Sequence, residues 1–483
     1  MKLKELLKNI NHTMIGCDDA EITSIQYDSR KVTEGSLFFC IIGFNADGHK
    51  FAASAAEKGA ACLVVSKPQD LDIPQVVVED TREAMALISA NFYGCPADKL
   101  RMVAVTGTNG KTSTTYMLKK IFEQAGSKVG LIGTIESIVG EKRVQSERTT
   151  PESMDLQKML RDMLDAGCDT VVMEVSSHSL VLKRVYGIRF AGAIFTNLTQ
   201  DHLDFHTDMD DYANAKAILF ENSDHSVINA DDAYAEVMKS RVTGELTTFA
   251  IDAPADYNEK DVSLMPNASR YVLASRDFRI PIVMAIPGRF TVYNSLGTAV
   301  LCLKLGIDLL DVKKGLENVD NVPGRFQNLD THGQPFSVIL DYCHTPDSLE
   351  STLKTVRGFA KGRIVCVFGC GGNRDNKKRP IMGRISGELA DFTIVTSDNP
   401  RFEEPDSIIE MILEGISETD GNYISIENRR DAIEYALKNA EKDDVIVLAG
   451  KGHEDYQEIC GVKHPFDEKV IVAEIMDALY PIK

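Results

Sequence analysis

Nothing in the 483 residues approaches an apolar run of 18, so the sequence offers no membrane span, and its first residues do not read as a secretory leader. A surplus of basic charge is also missing: 53 Lys and Arg against 72 Asp and Glu leave a formal net charge of -19. That balance argues against general affinity for nucleic-acid backbones or anionic membranes, while local basic pockets stay open. The ten cysteines have neither metal nor disulfide spacing. Cys366 and Cys370 lie close together, but Cys366 belongs to the apolar run IVCVF and reads as a buried thiol. No internal repeat, low-complexity tract or coiled-coil heptad is present. These absences point to a globular chain kept in a reducing cytoplasm, and its length points to roughly two to four domains rather than one core.

What is present is organised around MVAVTGTNGKTSTTYMLKKIFEQAG, Met102 to Gly126. An apolar run leads without a gap into TGTNGKTS and then a helical pattern, which reads as buried strand, glycine loop and helix N-terminus. Backbone N–H groups freed by Gly107 and Gly110 can converge on a phosphate, Lys111 adds a point charge, and the Thr112 hydroxyl can reach a magnesium ion. Val105 stands where the commoner G-x-x-x-x-G-K-[ST] spacing has its first glycine.

Around this loop the fold class is α/β in three parts. Residues 1–97 form a small N-terminal α/β domain in which YDSR (Tyr27 to Arg30) and GFNADGHKF (Gly43 to Phe51) are polar turns beside strands. Either turn suits a hydroxylated or anionic ligand, and either is equally readable as a solvated turn. Residues 98–330 form a central, mostly parallel-sheet ATPase domain whose strands KVGLIGTIE, DTVVMEVSSHSL and GAIFTNL end in small or polar residues. Glu174, directly after VVM, is placed to bind magnesium opposite Thr112. His202, Asp204 and His206 could coordinate a metal, although their spacing matches no simple zinc signature and one histidine could orient a neighbour instead. Lys216, in a small-residue helical stretch, reads by itself as a surface charge. SVINADD suits a turn near a nucleotide base, and VPGRF carries Arg325 toward a cleft between domains. Residues 331–483 repeat the rhythm as a Rossmann-like doubly wound domain, with four apolar runs each ending in a polar loop. CGGNRD lacks G-x-G-x-x-G, which rejects a nicotinamide site. Arg374, Asn399, Arg401 and Glu454 share the predicted carboxyl-end rim, where they could grip a zwitterionic, carboxylate-rich substrate.

With these pieces in order, the sequence resembles the Mur ligases over essentially its whole length, more closely those adding the third amino acid of the peptidoglycan stem peptide. The anchors include DSR at 28–30, DGHKF at 47–51, TGTNGKTSTT at 106–115, MEVSSHSL at 173–180, FTNLTQDHLDFH at 195–206, NAKAILF at 214–220, VPGRF at 322–326, SDNPR at 397–401 and GKGHEDYQ at 450–457. The resemblance implies that Ser29, Asp47, Gly48 and His49 lie near uridine and diphosphate, and that Thr149, Thr150, Ser176 and Arg184 clamp the muramoyl-dipeptide acceptor. RTTP in place of the common NTTP, and Leu182 where some relatives have glutamine, set that clamp apart. Thr108, Asn109, Gly110, Lys111, Thr112 and Ser113 would hold ATP phosphates, with Asn294, Arg325, Asp341 and His344 seating the nucleotide as the C-terminal domain closes. Thr112, Glu174 and His202 would serve magnesium. Lys216 matches a lysine that the family carbamylates with CO2 to N6-carboxylysine, which reverses its reading as a surface charge. Lys111, Glu174, His202 and Lys216 form the implied catalytic set.

Arg374, Asp398, Asn399, Pro400, Arg401, Gly450 and Glu454 would receive the incoming amino acid. An arginine at the position of Arg401 is similar to the pattern of family members that add meso-2,6-diaminopimelate, since a guanidinium can pair with a distal carboxylate that lysine lacks. The implied reaction is ATP-driven amide formation on UDP-N-acetylmuramoyl-L-alanyl-D-glutamate through an acyl phosphate, by a cytoplasmic monomer with no nucleic-acid partner and no membrane insertion. L-lysine as donor is the nearest rival. Folate polyglutamate ligation shares the ATP machinery but not DSR, DGHKF and DNPR, and a non-catalytic nucleotide-binding cell-wall scaffold would not need Lys111, Glu174, His202 and Lys216 together.

Overall fold

A computed structural model of the chain describes residues 1–17, 19–43, 46–265, 268–275, 278–319 and 321–481. Phe44 and Asn45, part of the turn read from Gly43 to Phe51, lie outside the described residues. In the N-terminal part, Ser24–Gln26, Ser36–Phe39, Ala60–Val65 and Gln75–Val77 pair in parallel, and Thr13–Ile15 closes one edge antiparallel. Asp80 starts the helix Thr81–Phe92 by accepting from the backbone N–H groups of Arg82 and Glu83.

The central sheet has a parallel middle in the order Glu245–Ala250, Ser223–Asn229, Phe190–Phe195, Arg101–Thr106, Thr170–Glu174, Val129–Ile132. Its strands are apolar on both faces because helices cover both. Antiparallel ribbons extend each edge, Glu136–Val139 with Lys142–Gln145 on one side and Tyr257–Met265, Ala268–Ala274 and Arg279–Met284 on the other. Apolar runs do not reveal these ribbons: Lys142–Gln145 is exposed throughout, and Ala268–Ala274 mixes buried with exposed positions.

The third sheet runs Gln327–Leu329, Ser337–Asp341, Val445–Ala449, Ile364–Phe368, Phe392–Val395, Asn422–Ser425, parallel except for its first strand. Because Gln327–Leu329 pairs with Ser337–Asp341, this sheet begins before residue 331, and the expected boundary there moves to the turn ahead of Gln327. Successive side chains point to opposite faces, so Val338 and Leu340 meet one core and Ile339 the other. Helices Pro346–Arg357, Lys378–Leu389 and Pro405–Ile416 cover one face, and Arg429–Lys438 and Glu468–Leu479 cover the other.

Two of these helices touch backbone to backbone. A Cβ on Gly415 would overlap the Pro380 carbonyl oxygen, and one on Gly383 would overlap that of Ile412. Gly415→Ala is expected to destabilise by about 1–3 kcal/mol through overpacking. Urea unfolding checks this, and an unchanged midpoint would mean the helices can part freely.

Candidate active site

Strand Arg101–Thr106 lies between Thr170–Glu174 and Phe190–Phe195, with Val105 beside Glu174 and Thr106 beside Phe195. The carboxyl ends of three adjacent strands therefore meet at the phosphate loop. Helix Lys111–Gln124 begins at Gly110, which is left-handed at φ 85° and supplies no side-chain cap. Its first N–H groups face the loop opening, as an anion site requires. A Cβ at Gly110 would also collide with Asn294 Oδ1, so both conformation and space demand glycine. The loop is braced from the neighbouring strand end: the N–H groups of Thr108 and Asn109 donate to Asn197 O at 2.8 Å and Asn197 Oδ1 at 2.9 Å. Thr196 Oγ1 donates to Asn109 O at 2.6 Å.

Lys111 folds back over the loop, its Nζ donating to Gly107 O and Thr108 O, each at 2.9 Å. Burial pushes its pKa down, while Glu174 and Asp201 pull it up. Lys216 is not a surface charge. It is 1% exposed, on the buried side of helix Met209–Ala217, and its Nζ also donates to Gly107 O at 2.9 Å, 4.4 Å from the Tyr212 ring centre. Burial and the nearby Lys111 charge hold its pKa well below that of an ordinary lysine, against a weaker pull from Asp201. Glu174 is 1% exposed; its Oε1 accepts from Thr134 N at 2.9 Å and its Oε2 from Thr134 Oγ1 at 3.0 Å.

His202, Asp204 and His206 do not form a ligand set. His206 is turned away, with Nε2 2.9 Å from Ser177 Oγ and Nδ1 3.3 Å from Asp211, and Asp204 pairs with Arg374 at 3.5 Å. Among the described residues no three His, Cys, Asp or Glu side chains gather as a metal cluster. His202 packs edge-on against His178 with ring centres 4.9 Å apart, and burial pushes its pKa down to about 3 despite Asp201 at 3.5 Å. A magnesium ion nevertheless suits the oxygen donors beside the loop, Thr112 and Glu174, because such ions take one or two carboxylates and complete their shell with water and phosphate oxygens.

A cavity of about 320 Å³ opens beside the loop, with Asn109, Gly110, Ser113, Asn294, Arg325 and Asp341 in its lining. At its far end, Asp231 accepts from Ile251 N and Ala253 N, both at 2.6 Å, and from the Tyr293 hydroxyl at 2.9 Å, which puts the SVINADD turn on the cavity wall. Arg325 crosses from the third-sheet side: its Nη2 donates to Thr112 Oγ1 at 3.1 Å and its guanidinium lies 4.5 Å from the Tyr342 ring centre. Asp341 braces this turn, Oδ2 accepting from Phe326 N at 2.5 Å and Oδ1 from Cys343 N at 2.9 Å. His344 stands off the cavity lining, 3.7 Å from Asp201. Asn197, Asp201, Thr134 and Tyr293 carry this architecture yet are absent from the expected site. FTNLTQDH was the visible signal for the first two.

The residues expected to clamp an acceptor lie together beside Glu174. Thr150 Oγ1 donates to Glu174 O at 2.8 Å and accepts from Ser176 N at 3.2 Å; Thr149 Oγ1 is 3.0 Å from Thr134 Oγ1. Arg184 donates to Thr150 O at 3.1 Å and pairs with Glu152 at 2.7 Å, where Arg148 at 3.3 Å and Arg82 at 3.6 Å also converge. Ser29 begins the 3-10 turn Ser29–Lys31, and Asp47 caps the 3-10 turn Gly48–Phe51 that contains Gly48 and His49, both in the N-terminal part. His49 is fixed there, Nδ1 2.6 Å from Asp47 Oδ1 and Nε2 accepting from Ser66 N at 3.1 Å.

At the carboxyl ends of the third sheet, Arg401 donates to Gly372 O at 2.8 Å and pairs with Glu458 at 3.2 Å. Asn399 Nδ2 donates to Glu454 Oε2 at 2.8 Å. Asp398 Oδ1 accepts from Asn399 N at 2.6 Å, and a Cβ on Gly450 would meet Asp398 Oδ2 at 2.9 Å. Pro400 O fills the space beside Gly372, locking DNPR against CGGNRD. Arg374, half exposed, faces the central domain through Asp204 rather than the other members of this group.

Family models match three consecutive segments: "Mur ligase family, catalytic domain" at 21–93, "Mur ligase middle domain" at 105–302 and "Mur ligase, glutamate ligase domain" at 324–452. The chain is 50% identical to UDP-N-acetylmuramoyl-L-alanyl-D-glutamate--2,6-diaminopimelate ligase 1 of Clostridium acetobutylicum, over 99% of this chain and 100% of that protein. It is similar in fold to a solved ligase of the same activity name, with TM-score 0.71 and 30% identity over 99% of both chains. A MurF ligase from Thermotoga maritima in complex with ADP shares the fold, with TM-score 0.64 and 17% identity over 95% of this chain and 97% of that one.

Burial gives the site a pH signature. It pushes His178 down to about 4, helped by His206, and His453 down to about 3, helped by Arg325. The unfolded chain protonates its histidines near the usual value of about 6.5, so the stability these two support is intact above that pH and declines as pH falls toward about 4. Thermal midpoints should drop between about pH 7.5 and pH 5, and His178→Asn should narrow the drop. A variant with the full wild-type drop would contradict this assignment.

Proposed function

Because the chain belongs to the Mur ligase family, we propose that it is the ATP-dependent ligase joining meso-2,6-diaminopimelate to UDP-N-acetylmuramoyl-L-alanyl-D-glutamate. The observation that carries this reading is the cleft in which the phosphate loop, with Lys111 and Thr112, meets Arg325 from the third-sheet side. The named activity of the 50% identical full-length relative supports the choice of substrates, and the ADP complex of the Thermotoga fold relative supports ATP as phosphoryl donor. We read the domain up to about residue 97 as binder of the UDP-sugar, the central domain as the site of phosphoryl transfer, and the part from Gln327 onward as receiver of the amine. No helix among the described residues is long and apolar enough to cross a membrane, in keeping with a cytoplasmic enzyme, which we take to act as a monomer.

In the proposed reaction the D-glutamate carboxylate attacks the γ-phosphorus of ATP, giving an acyl phosphate and ADP. The amine of diaminopimelate then adds to the acyl carbon, loses a proton, and phosphate leaves from the tetrahedral intermediate. No side chain needs to act as nucleophile, so catalysis is positioning and charge neutralisation. Loop N–H groups and Lys111 hold the phosphates, and Thr149, Thr150, Ser176 and Arg184 orient the acceptor. Closure of the third domain excludes the water that would hydrolyse the acyl phosphate. Magnesium, held by Thr112, Glu174 and His202, would neutralise charge on the phosphate oxygens. At Lys216 the depressed pKa favours the neutral amine, which adds to CO2 with loss of one proton to give a carbamate. That change replaces a buried neutral amine by an anionic oxygen ligand. The distal carboxylate of the donor pairs with Arg401, and Glu454 accepts from its distal ammonium.

Phosphate release with each candidate amino acid tests the specificity. Release is expected with meso-diaminopimelate and not with L-lysine; the reverse pattern would overturn the choice of donor. Lys216→Ala should abolish release, and added bicarbonate should not restore it. Normal turnover in that variant would remove the carbamate from the mechanism.

A further inference from the structure

Behind the pocket that Asn399 and Glu454 form, one cation is completely enclosed. The Lys451 side chain is 0% exposed, with its ammonium between Asn399 Oδ1 and Glu454 Oε2, each at 3.1 Å. The rings of Tyr456 and Phe466 flank it at 5.8 and 6.0 Å. Asn399 Oδ1 also accepts from Glu458 N at 2.9 Å. Two donors on that oxygen fix the amide orientation, so the Asn399 Nδ2 must point to Glu454 Oε2, where it donates at 2.8 Å. Glu454 Oε2 is thus held by an ammonium and an amide, and its carboxylate has one direction left in which to present Oε1.

We propose that Lys451 is a positioning residue for the amine donor: it fixes Asn399 and Glu454 as one unit so that Glu454 meets the donor's distal ammonium. This rests on the reading of the third domain as the diaminopimelate site. The chemistry is that of a preorganised receptor. A carboxylate held by a dry ammonium and an amide keeps one orientation, whereas one without them is free to turn toward water. Lys451 touches no reacting atom, and its effect on donor binding passes through Glu454.

The test is steady-state kinetics on the full-length enzyme, wild type first. Wild-type turnover with meso-diaminopimelate decides the parent reading by itself, and its absence would overturn that reading. In an active enzyme, Lys451→Met should raise KM for meso-diaminopimelate at least about 30-fold, as expected for removing one partner of a buried hydrogen-bonded charge pair. KM for ATP and for the acceptor should stay within about twofold, a split that general loosening of the fold would not produce. The double variant Lys451→Met, Glu454→Gln should be no worse than Glu454→Gln alone, because the lysine acts through that carboxylate. Unchanged donor KM, or penalties that multiply in the double variant, would overturn the proposal. If Lys451→Met is insoluble, Lys451→Gln, which keeps a donor for Glu454 without the charge, is measured against the same two criteria.

Discussion

Two lysine side chains converge on a single backbone oxygen: the Nζ atoms of Lys111 and Lys216 each lie 2.9 Å from Gly107 O. Two ammonium ions on one carbonyl, one buried and one partly buried, repel each other with little screening. The site is tolerable only if one of them gives up its charge, and the one deeper in the protein, Lys216, is the one whose pKa is held well below normal. Glu174 and Asp201 stabilise the positive form of Lys111, so the asymmetry is built into the surroundings. The loop then keeps Lys111 as the cation that faces a phosphate, beside a Lys216 amine whose neutral form is favoured. Strand pairing, the Asn197 brace and the uncapped helix start all serve to keep Gly107 where both lysines meet it.

That geometry also explains why the third domain leans on the loop. Arg325 reaches Thr112, Asn109 Nδ2 donates to Asp347 at 3.0 Å, and Gln200 Nε2 donates to Asp375 at 3.0 Å. These are single polar contacts, with Asp204 pairing with Arg374 at 3.5 Å and Asp201 lying 3.7 Å from His344 across the same cleft. Contacts of this kind are individually worth little where water competes, so they can form and break as substrates enter. Apolar packing joins the two parts beside these contacts, where the rings of Phe290 and Phe326 lie 5.8 Å apart within one continuous core.

Much of this was legible in the sequence wherever burial and chemistry coincide. The strand, glycine loop and helix at Met102 to Gly126 read correctly, because apolar runs and glycine placement are local signals. Lys216 shows the limit of that method. Its neighbours Asn214, Ala215 and Ala217 carry no charge pattern that reveals which helix face is covered, and only the resemblance reversed the surface reading. The edge ribbons escaped because half-exposed strands have no apolar run, and Gln327–Leu329 because three residues carry no periodicity. Thr134 and Lys451 were invisible as individuals for a different reason. Each acts by hydrogen-bonding a residue remote in the chain, and such pairs exist only after folding.

A last consequence concerns how a chain of net charge -19 binds anionic partners. Cations are concentrated in its clefts, and four of them already have a carboxylate beside them. Arg184 pairs with Glu152, Arg374 with Asp204, Arg401 with Glu458 and Lys451 with Glu454. These carboxylates hold the cations in place and satisfy them before any ligand arrives. A substrate carboxylate that docks on Arg401 or Arg184 thus joins or displaces an existing partner, and much of the desolvation of the guanidinium has already occurred during folding. The net gain in affinity per charge is therefore small, and the gain in selectivity is large. A ligand without a carboxylate leaves the internal pair intact and gains nothing, whereas one with a misplaced carboxylate meets Glu152 or Glu458 as a like charge. In the donor site we propose, Glu458 beside Arg401 makes binding depend on a correctly placed distal carboxylate, which diaminopimelate has and lysine lacks.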